Sequence, residues 1–248
     1  MDLRLVEFEL AFLDLPQLFD GYRILHVSDT HLDVYPELAE AARKLSRHLE
    51  TDLLLLTGDI HGRPRTPVAV SSGLLATALG GVRVRDRRVA VLGNHDPVEM
   101  VDALEDMGFE VLINRAIVLE RGGERVGLTG LDNVNYFYTG AARAALDAPA
   151  GGFRIALVHS PEMADHADTA GYALYLCGHT HGGQIAMPGG RPIFTQLRRC
   201  RLAASGLWHR DGMTGYTSRG LGVSGPPVRF NTQGEMALIT LRRASPPP

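Results

Sequence analysis

The chain has 248 residues, enough for one large domain with a buried core. Hydrophobic residues make up 45% and charged residues 21%, usage that excludes a disordered or collagen-like chain. The net charge of −3 supplies no broad positive field, which argues against a protein that coats nucleic acid, so no stable nucleic-acid complex is expected.

The first ten residues alternate apolar and polar as a strand does, and they lack the continuous apolar stretch of a signal peptide. A first short apolar run, Ile24 to Val27, leads into Ser28-Asp29-Thr30-His31. An Ala-rich helix is expected over 35–50, with Pro36 near its start. The second run, Leu53 to Thr57, leads into Gly58-Asp59-Ile60-His61, and a helix-like stretch follows over 66–79. The third, Val89 to Leu92, leads into Gly93-Asn94-His95-Asp96, followed by a helix over 97–107. Strand-like segments at 111–120 and 124–129 come next, with little helix between them. The fourth run, Ile155 to Val158, ends on His159 before a helix over 161–169. The fifth, Ala173 to Cys177, ends on Gly178-His179-Thr180-His181. Gly and Pro concentrate in 182–230, which reads as long loops around a strand at 213–217, and strand material returns at 235–242.

Short, branched apolar runs favour buried strands, and the helices between them are long enough to cross over a parallel sheet. The remaining strand segments have little helix between them, so the fold class is α/β, with two mixed β-sheets packed together and helices on the outer faces. Residues 1–243 are expected to form a single domain and 244–248, rich in Pro, a disordered tail. Cys177 and Cys200 cannot supply a disulfide framework, and no window reaches the ~18 apolar residues of a membrane helix. The expectation is a cytoplasmic protein with at most peripheral membrane contact.

All five runs end on a ligand-type residue. In open α/β sheets, ligands bind outside the carboxyl ends of the strands, so the five ends should converge on one rim. An Asp-x-His or His-x-His pair in extended backbone would put both side chains on one face. The glycines before Asp59, Asn94 and His179 allow tight turns and close approach. The donors are Asp29, His31, Asp59, Asn94, His159, His179 and His181, too many for one tetrahedral zinc and enough for two ions sharing a carboxylate. Imidazole with carboxylate or amide oxygen and no thiolate argues for Mn²⁺, Fe or Zn²⁺ over Ca²⁺ or copper, and ligand type does not decide among those three; two divalent ions are expected, Mn²⁺ first.

The blocks Asp-x-His, Gly-Asp, Gly-Asn-His-Asp, a lone His and Gly-His-x-His, in this order, resemble those of the calcineurin-like metallophosphoesterases, over roughly residues 22–231. Within that family the chain looks closest to the YkuE/YaeI-type phosphodiesterases, through stretches such as Leu157-Val158-His159-Ser160-Pro161-Glu162 and Gly178-His179-Thr180-His181-Gly182-Gly183-Gln184. The resemblance implies a four-layer α/β/β/α fold. It also implies one metal on Asp29, His31 and His181, a second on Asn94, His159 and His179, and Asp59 bridging them. Two cations about 3.5–4 Å apart could acidify a bridging water, so that hydroxide attacks phosphorus in line. His95, surplus to the ligand count, is the candidate catalytic acid toward the leaving oxygen.

One departure stands out. Many of these enzymes read Gly-Asp-x-x-Asp-Arg, whereas this chain reads Gly58-Asp59-Ile60-His61-Gly62-Arg63. The missing second Asp, at Gly62, argues against a protein phosphatase. Further candidates for substrate contact or support of the ligands are His61, donating to a phosphate or to Asp59, and Asp96, orienting His95 or capping the following helix. Asp132, with Asn133, could line the cleft, as could Arg219 and Arg229. His26, His48, His166 and His209 read as structural, with His26 a hydrogen-bonded core imidazole. The segment from Arg191 to Trp208 mixes Arg with apolar residues. It reads as a substrate loop that grips phosphate and meets a lipid or nucleoside, a membrane-surface contact, or an ordinary exposed loop.

The function expected is a phosphodiesterase acting on a small-molecule or lipid-precursor phosphodiester. Its alternatives are a pyrophosphate-bond hydrolase of a nucleotide-sugar lipid of the UDP-diacylglucosamine type and a non-catalytic scaffold of the same fold. A DNA nuclease would be expected to show further domains and a basic groove.

Overall fold

Alternation along the central strands runs between two buried surfaces rather than between core and solvent. Leu53 and Leu55 face one apolar cluster, Leu54 and Leu56 another, and all four are buried. A strand of this kind needs a layer on each side. The computed structural model describes residues 2–132, 138–148, 152–188, 192–195, 197–198 and 200–245. The first half of the chain runs β1 (Leu3–Phe12), β2 (Arg23–Val27), α1 (Glu37–Ser46), β3 (Glu50–Thr57), α2 (Val68–Leu79), β4 (Arg83–Val91), α3 (Met100–Asp106) and β5 (Glu110–Val111). It continues through β6 (Arg115–Arg121), β7 (Glu124–Gly130), α4 (Gly140–Asp147), β8 (Phe153–Leu157), α5 (Ala164–Thr169) and β9 (Leu174–Cys177). The last elements are β10 (Gly206–His209), β11 (Thr214–Thr217) and β12 (Gly234–Arg243).

Two six-stranded mixed sheets result, ordered β1-β12-β2-β3-β4-β5 and β10-β11-β9-β8-β7-β6. In the first, β2, β3, β4 and β5 pair in parallel, with Ile24 opposite Leu53 and Leu55 opposite Val89. The second has β7, β8, β9 and β11 in parallel, with antiparallel β6 and β10 at its edges. Ile24, Leu53, Leu55 and Val91 meet Leu128, Ile155, Leu157 and Leu174 between the sheets. Outside the first sheet Leu54, Leu56 and Ala90 pack on Ala42 of α1, Leu75 of α2 and Leu104 of α3. Ala156, Tyr175 and Cys177 pack outside the second on Ala142 of α4 and Ala167 of α5. These layers are the α/β/β/α arrangement expected from the sequence.

Where the elements differ from expectation, local chemistry explains it. The segment expected as one strand over 111–120 divides, because Asn114 takes a left-handed φ of 51° and carries the chain from β5 in one sheet to β6 in the other. The N-terminal half of β4, rich in Arg and not recognised as strand, pairs with β3 while Arg85 bridges to Glu50 at 2.7 Å. Helix α4 has Thr139 as its cap, accepting from Ala142 N; neither this helix nor β10 is among the elements expected from the sequence. The expected helix at 161–169 begins as a single 3₁₀ turn at Pro161–Met163 before α5. Ala244 N donates to Phe12 O, so the first tail residue is tied down, while 246–248 lie outside the described residues. Cys177 and Cys200 are both free thiols.

His26 lies on the inner face of β2, fully buried, 2.8 Å from Thr57 Oγ1 and edge-on to Tyr216 of the other sheet. Burial pulls its pKa down to about 4, against a smaller raising effect of Glu235. The unfolded chain therefore takes up a proton below about pH 6.5 that the folded chain refuses, and stability falls as pH drops from there toward 4. The full shift is worth on the order of 3 kcal/mol. Urea unfolding in chelator should show a shallower acid loss for His26→Gln than for wild type; parallel curves would assign the acid sensitivity elsewhere.

Candidate metal centre

The carboxyl ends of β2, β3 and β4 in one sheet and of β8 and β9 in the other open onto the same edge, and the five ligand-bearing loops meet there. Ligand atoms of Asp29, His31, Asp59 and His181 lie within 4.8 Å of one another, as do those of Asp59, His159 and His179. Asp59 belongs to both groups. Its Oδ2 lies 3.4 Å from His31 Nε2 and 3.3 Å from His159 Nε2, while Asp29 Oδ1 lies 3.4 Å from His181 Nε2. Asn94 sits half-buried on the loop after β4, next to His95.

Backbone geometry delivers these side chains in a way the sequence did not reveal. Asp29, His31, Asp59, His179 and His181 all have positive φ, from 37° to 70°. The two pairs converge through left-handed turns, not through the extended backbone expected from their spacing. Several such residues cost energy and cluster at sites that need them. Gly93 and Gly178 supply the close approach: a Cβ on the first would lie 2.1 Å from Asp59 Oδ1, and on the second 2.1 Å from Asp29 Oδ2.

The surroundings orient the ligands. His31 Nδ1–H donates to the His61 carbonyl at 2.8 Å and His159 Nδ1–H to the Thr57 carbonyl at 2.6 Å, so both rings turn Nε2 into the cluster. Asp29 accepts from Ser28 Oγ at 2.6 Å and from His179 N at 2.9 Å. Asp59 Oδ1 accepts from His95 N at 2.9 Å. His31 Nε2 and His181 Nδ1 remain buried without a hydrogen-bond partner. The orphaned His31 Nε2, beside the buried carboxylate of Asp59, fits a divalent first-row cation, whose donor set would be imidazole and oxygen.

The charges point the same way. Burial alone would raise Asp59, but His159 and His31 hold it well below the usual carboxylate range. Burial raises Asp29. Burial would lower His159, yet Asp59 and Asp29 push it up to about 9, and Asp59 likewise raises His31. His179 is lowered to about 3 by burial and by His159. Both shifts favour the protonated imidazole, most strongly at His159, and a metal binding there must displace such a proton. Divalent-ion affinity should rise with pH up to about 9. At neutral pH, binding should release on the order of one proton or more, measured by calorimetry in buffers of different ionisation enthalpy. An enthalpy independent of buffer would show that neither imidazole carries a proton at neutral pH.

His95 is exposed, and its ring stands perpendicular to that of His31 with centroids 5.2 Å apart. It borders the cluster from the solvent side, where a leaving group would emerge. The other candidates take different places from those expected. His61 is buried, its Nδ1 pairs with Ser71 Oγ at 2.9 Å, and its carbonyl serves the site by accepting from His31 Nδ1–H. Asp96 neither orients His95 nor caps α3; its carboxylate accepts from the backbone N–H groups of Asp59, His61 and Gly93 at 2.8, 2.9 and 2.8 Å, joining the loops after β3 and β4. Arg219 is ion-paired with Glu235 at 3.0 Å. Arg229 donates to the carbonyls of His181, Arg219, Gly220 and Gly222, bracing the ligand loop. Asp132 N donates to Asn114 Oδ1 at 3.1 Å while its own Oδ1 is buried without a partner; Asn133 lies outside the described residues, as do Arg191 and Arg199.

Asp33 is a supporting residue that no sequence signal marked. It is buried and accepts from Gly62 N and Arg63 N at 2.8 and 2.7 Å. Gly62, where the second Asp of related motifs would stand, has no room for one: a Cβ there would lie 2.5 Å from Val34 Cγ2.

Residues 22–183 match the family model described as calcineurin-like phosphoesterase. The uncharacterized metallophosphoesterase YkuE of Bacillus subtilis is 30% identical over 239 residues, spanning 92% of this chain and 82% of that protein. The phosphodiesterase YaeI of Escherichia coli is 27% identical over 229 residues, spanning 89% and 82%. Among solved structures, the phosphopantetheinyl hydrolase of Mycobacterium tuberculosis superposes with a TM-score of 0.50 at 14% identity, covering 84% of this chain and 91% of that one, a likeness of fold alone.

Proposed function

The chain belongs to the calcineurin-like phosphoesterase family, and from that premise we propose that it is a dinuclear-metal phosphodiesterase acting on a small-molecule or lipid-precursor diester. The observation that carries this reading is the pair of ligand groups joined through Asp59. Asp29, His31 and His181 would hold one ion, Asn94, His159 and His179 the other, and Asp59 both. When bound, two divalent cations, Mn²⁺ first among the candidates, supply Lewis acidity toward the phosphoryl oxygens and an acidified water.

The protein's own residues do the rest. Carbonyls of His61 and Thr57 hold the imidazoles of His31 and His159 in one orientation. Asp96 fixes the backbone that presents Asp59. Hydrolysis forms a bond from water oxygen to phosphorus and breaks the bond from phosphorus to the leaving oxygen, which takes a proton. His95 is the donor of that proton, exposed beside the cluster and therefore able to exchange with solvent between turnovers. The buried His31 Nε2, which faces the cluster without a hydrogen-bond partner, weighs against a non-catalytic scaffold.

The test is hydrolysis of bis(4-nitrophenyl) phosphate against 4-nitrophenyl phosphate by protein loaded with Mn²⁺, Fe²⁺ or Zn²⁺. Cleavage of the diester, faster than the monoester and abolished by chelator, is expected. Absence of diester cleavage with every one of these ions would overturn the reading.

A further inference from the structure

An apolar cavity opens directly from the metal-ligand cluster. It has a volume of about 330 Å³, within the range of small-molecule sites. His179 and His181 form one end, and Ile185, Ile193, Phe194 and Pro226 line it beyond them. Of its polar side chains, those of Gln184 and Thr180 are engaged elsewhere, while Thr195 and Ser224 also line it. Gln184 accepts from Ser224 N at 2.6 Å and donates to Pro226 O at 3.1 Å, and Thr180 Oγ1 donates to Ala204 O at 2.6 Å. Away from the two imidazoles, the cavity therefore offers an occupant mainly apolar contact.

The lining is held by backbone bonds. Ala186 N donates to Phe230 O, Phe230 N to Gln184 O and Ile193 N to Ile185 O, tying three segments into one small ribbon. Ile193 and Phe194 also border a second cavity, of about 420 Å³, reached over the same ridge and edged by Arg201. Among the described residues, half of the exposed large hydrophobic side chains fall within 185–202 and 228–230, including Phe194 at 72% and Phe230 at 64% exposure. Exposed apolar surface concentrated at one place marks a binding site more often than chance scatter does.

We propose that this cavity is the subsite for an alkyl or acyl ester arm, so that the substrate class is a phosphodiester with its phosphoryl group at the metal cluster and one apolar arm along Ile185, Ile193 and Phe194. The inference rests on the phosphodiesterase reading. It extends that reading by naming what the diester must carry. The continuity of the cavity with His179 and His181 fixes the occupant, because a chain attached to a phosphoryl group at the cluster has this cavity as its apolar neighbour.

Calorimetric binding of methyl, butyl and octyl phosphate, each as monomer, to the metal-loaded protein tests the subsite without turnover. Affinity should rise roughly two- to fourfold for each added methylene, the transfer free energy of a methylene expressed as a ratio, with an increasingly negative heat-capacity change. The variants Ile193→Ser and Phe194→Ser alter exposed side chains and should flatten the series, whereas Leu13→Ser, exposed beyond β1, should leave it unchanged. Equal affinity for methyl and octyl phosphate would overturn the proposal, as would a series untouched by the two cavity variants. Parallel assays with 4-nitrophenyl alkyl phosphodiesters separate the two claims. Chain-length-dependent binding without hydrolysis of any diester would sink the phosphodiesterase reading alone, and hydrolysis with a flat series would sink the subsite alone. Dependence confined to esters embedded in phosphatidylcholine vesicles would make the exposed ridge a bilayer contact and also overturn the subsite.

Discussion

Asp59→Asn is expected to lower kcat for an aryl phosphodiester by about 10³-fold or more, since several kcal/mol of charge stabilisation goes with the metals. Bound metal should fall with it. Asp59 is the one carboxylate common to both ligand groups, and its Oδ2 lies between His31 and His159. An amide in its place keeps a neutral oxygen but removes the negative charge. His31 and His159 would then face each other without the counter-charge that raises both their pKa values. Elemental analysis beside steady-state kinetics checks the prediction. A variant that keeps its metal and turns over within tenfold of wild type would show that Asp59 does not bridge.

Replacing the His95 imidazole should cost about 10²- to 10⁴-fold in kcat for a diester with an alkanol leaving group while leaving bound metal at the wild-type level. The contact that ties residue 95 to the cluster is its backbone N–H to Asp59 Oδ1, and His95→Gln retains it. The diagnostic is the leaving group. An acidic nitrophenol departs without a proton and an alkanol does not, so the loss should be small for the first and large for the second. An equal loss for both would assign His95 to charge stabilisation or loop structure in place of proton donation. These two variants separate cleanly, one losing metal and rate together and the other rate alone.

Five apolar runs, each ending on a ligand-type residue, made the sheet edge and the donors legible in the sequence, because both depend on local order along the chain. The close approach of Gly93 and Gly178 was also legible, as glycine next to a ligand has few other uses. The left-handed φ of Asp29, His31, Asp59, His179 and His181 was not, since no residue type among them demands it and only packing of the surrounding loops imposes it. Asp96, His61 and Asp33 act through backbone N–H and carbonyl groups of a neighbouring loop, a relation that spacing along one chain cannot encode. Arg219 was a candidate for lining the cleft, and its ion pair with Glu235, 16 residues away on β12, had nothing in sequence to announce it. The apolar cavity belongs to the same class: Ile185, Ile193 and Phe230 meet through long loops whose pairing no periodicity announces. No helix among the described residues is long and apolar enough to cross a membrane, in keeping with the absence of any such run in the sequence.

Titration of metal-free protein with Mn²⁺, recording bound ions per chain and hydrolysis of bis(4-nitrophenyl) phosphate in the same samples, tests the dinuclear reading most directly. Activity should appear in step with the second ion and level off at about two per chain, as two metals acting on one phosphoryl group require. Full activity at one ion per chain, or two tightly held ions with no diester cleavage, would contradict it.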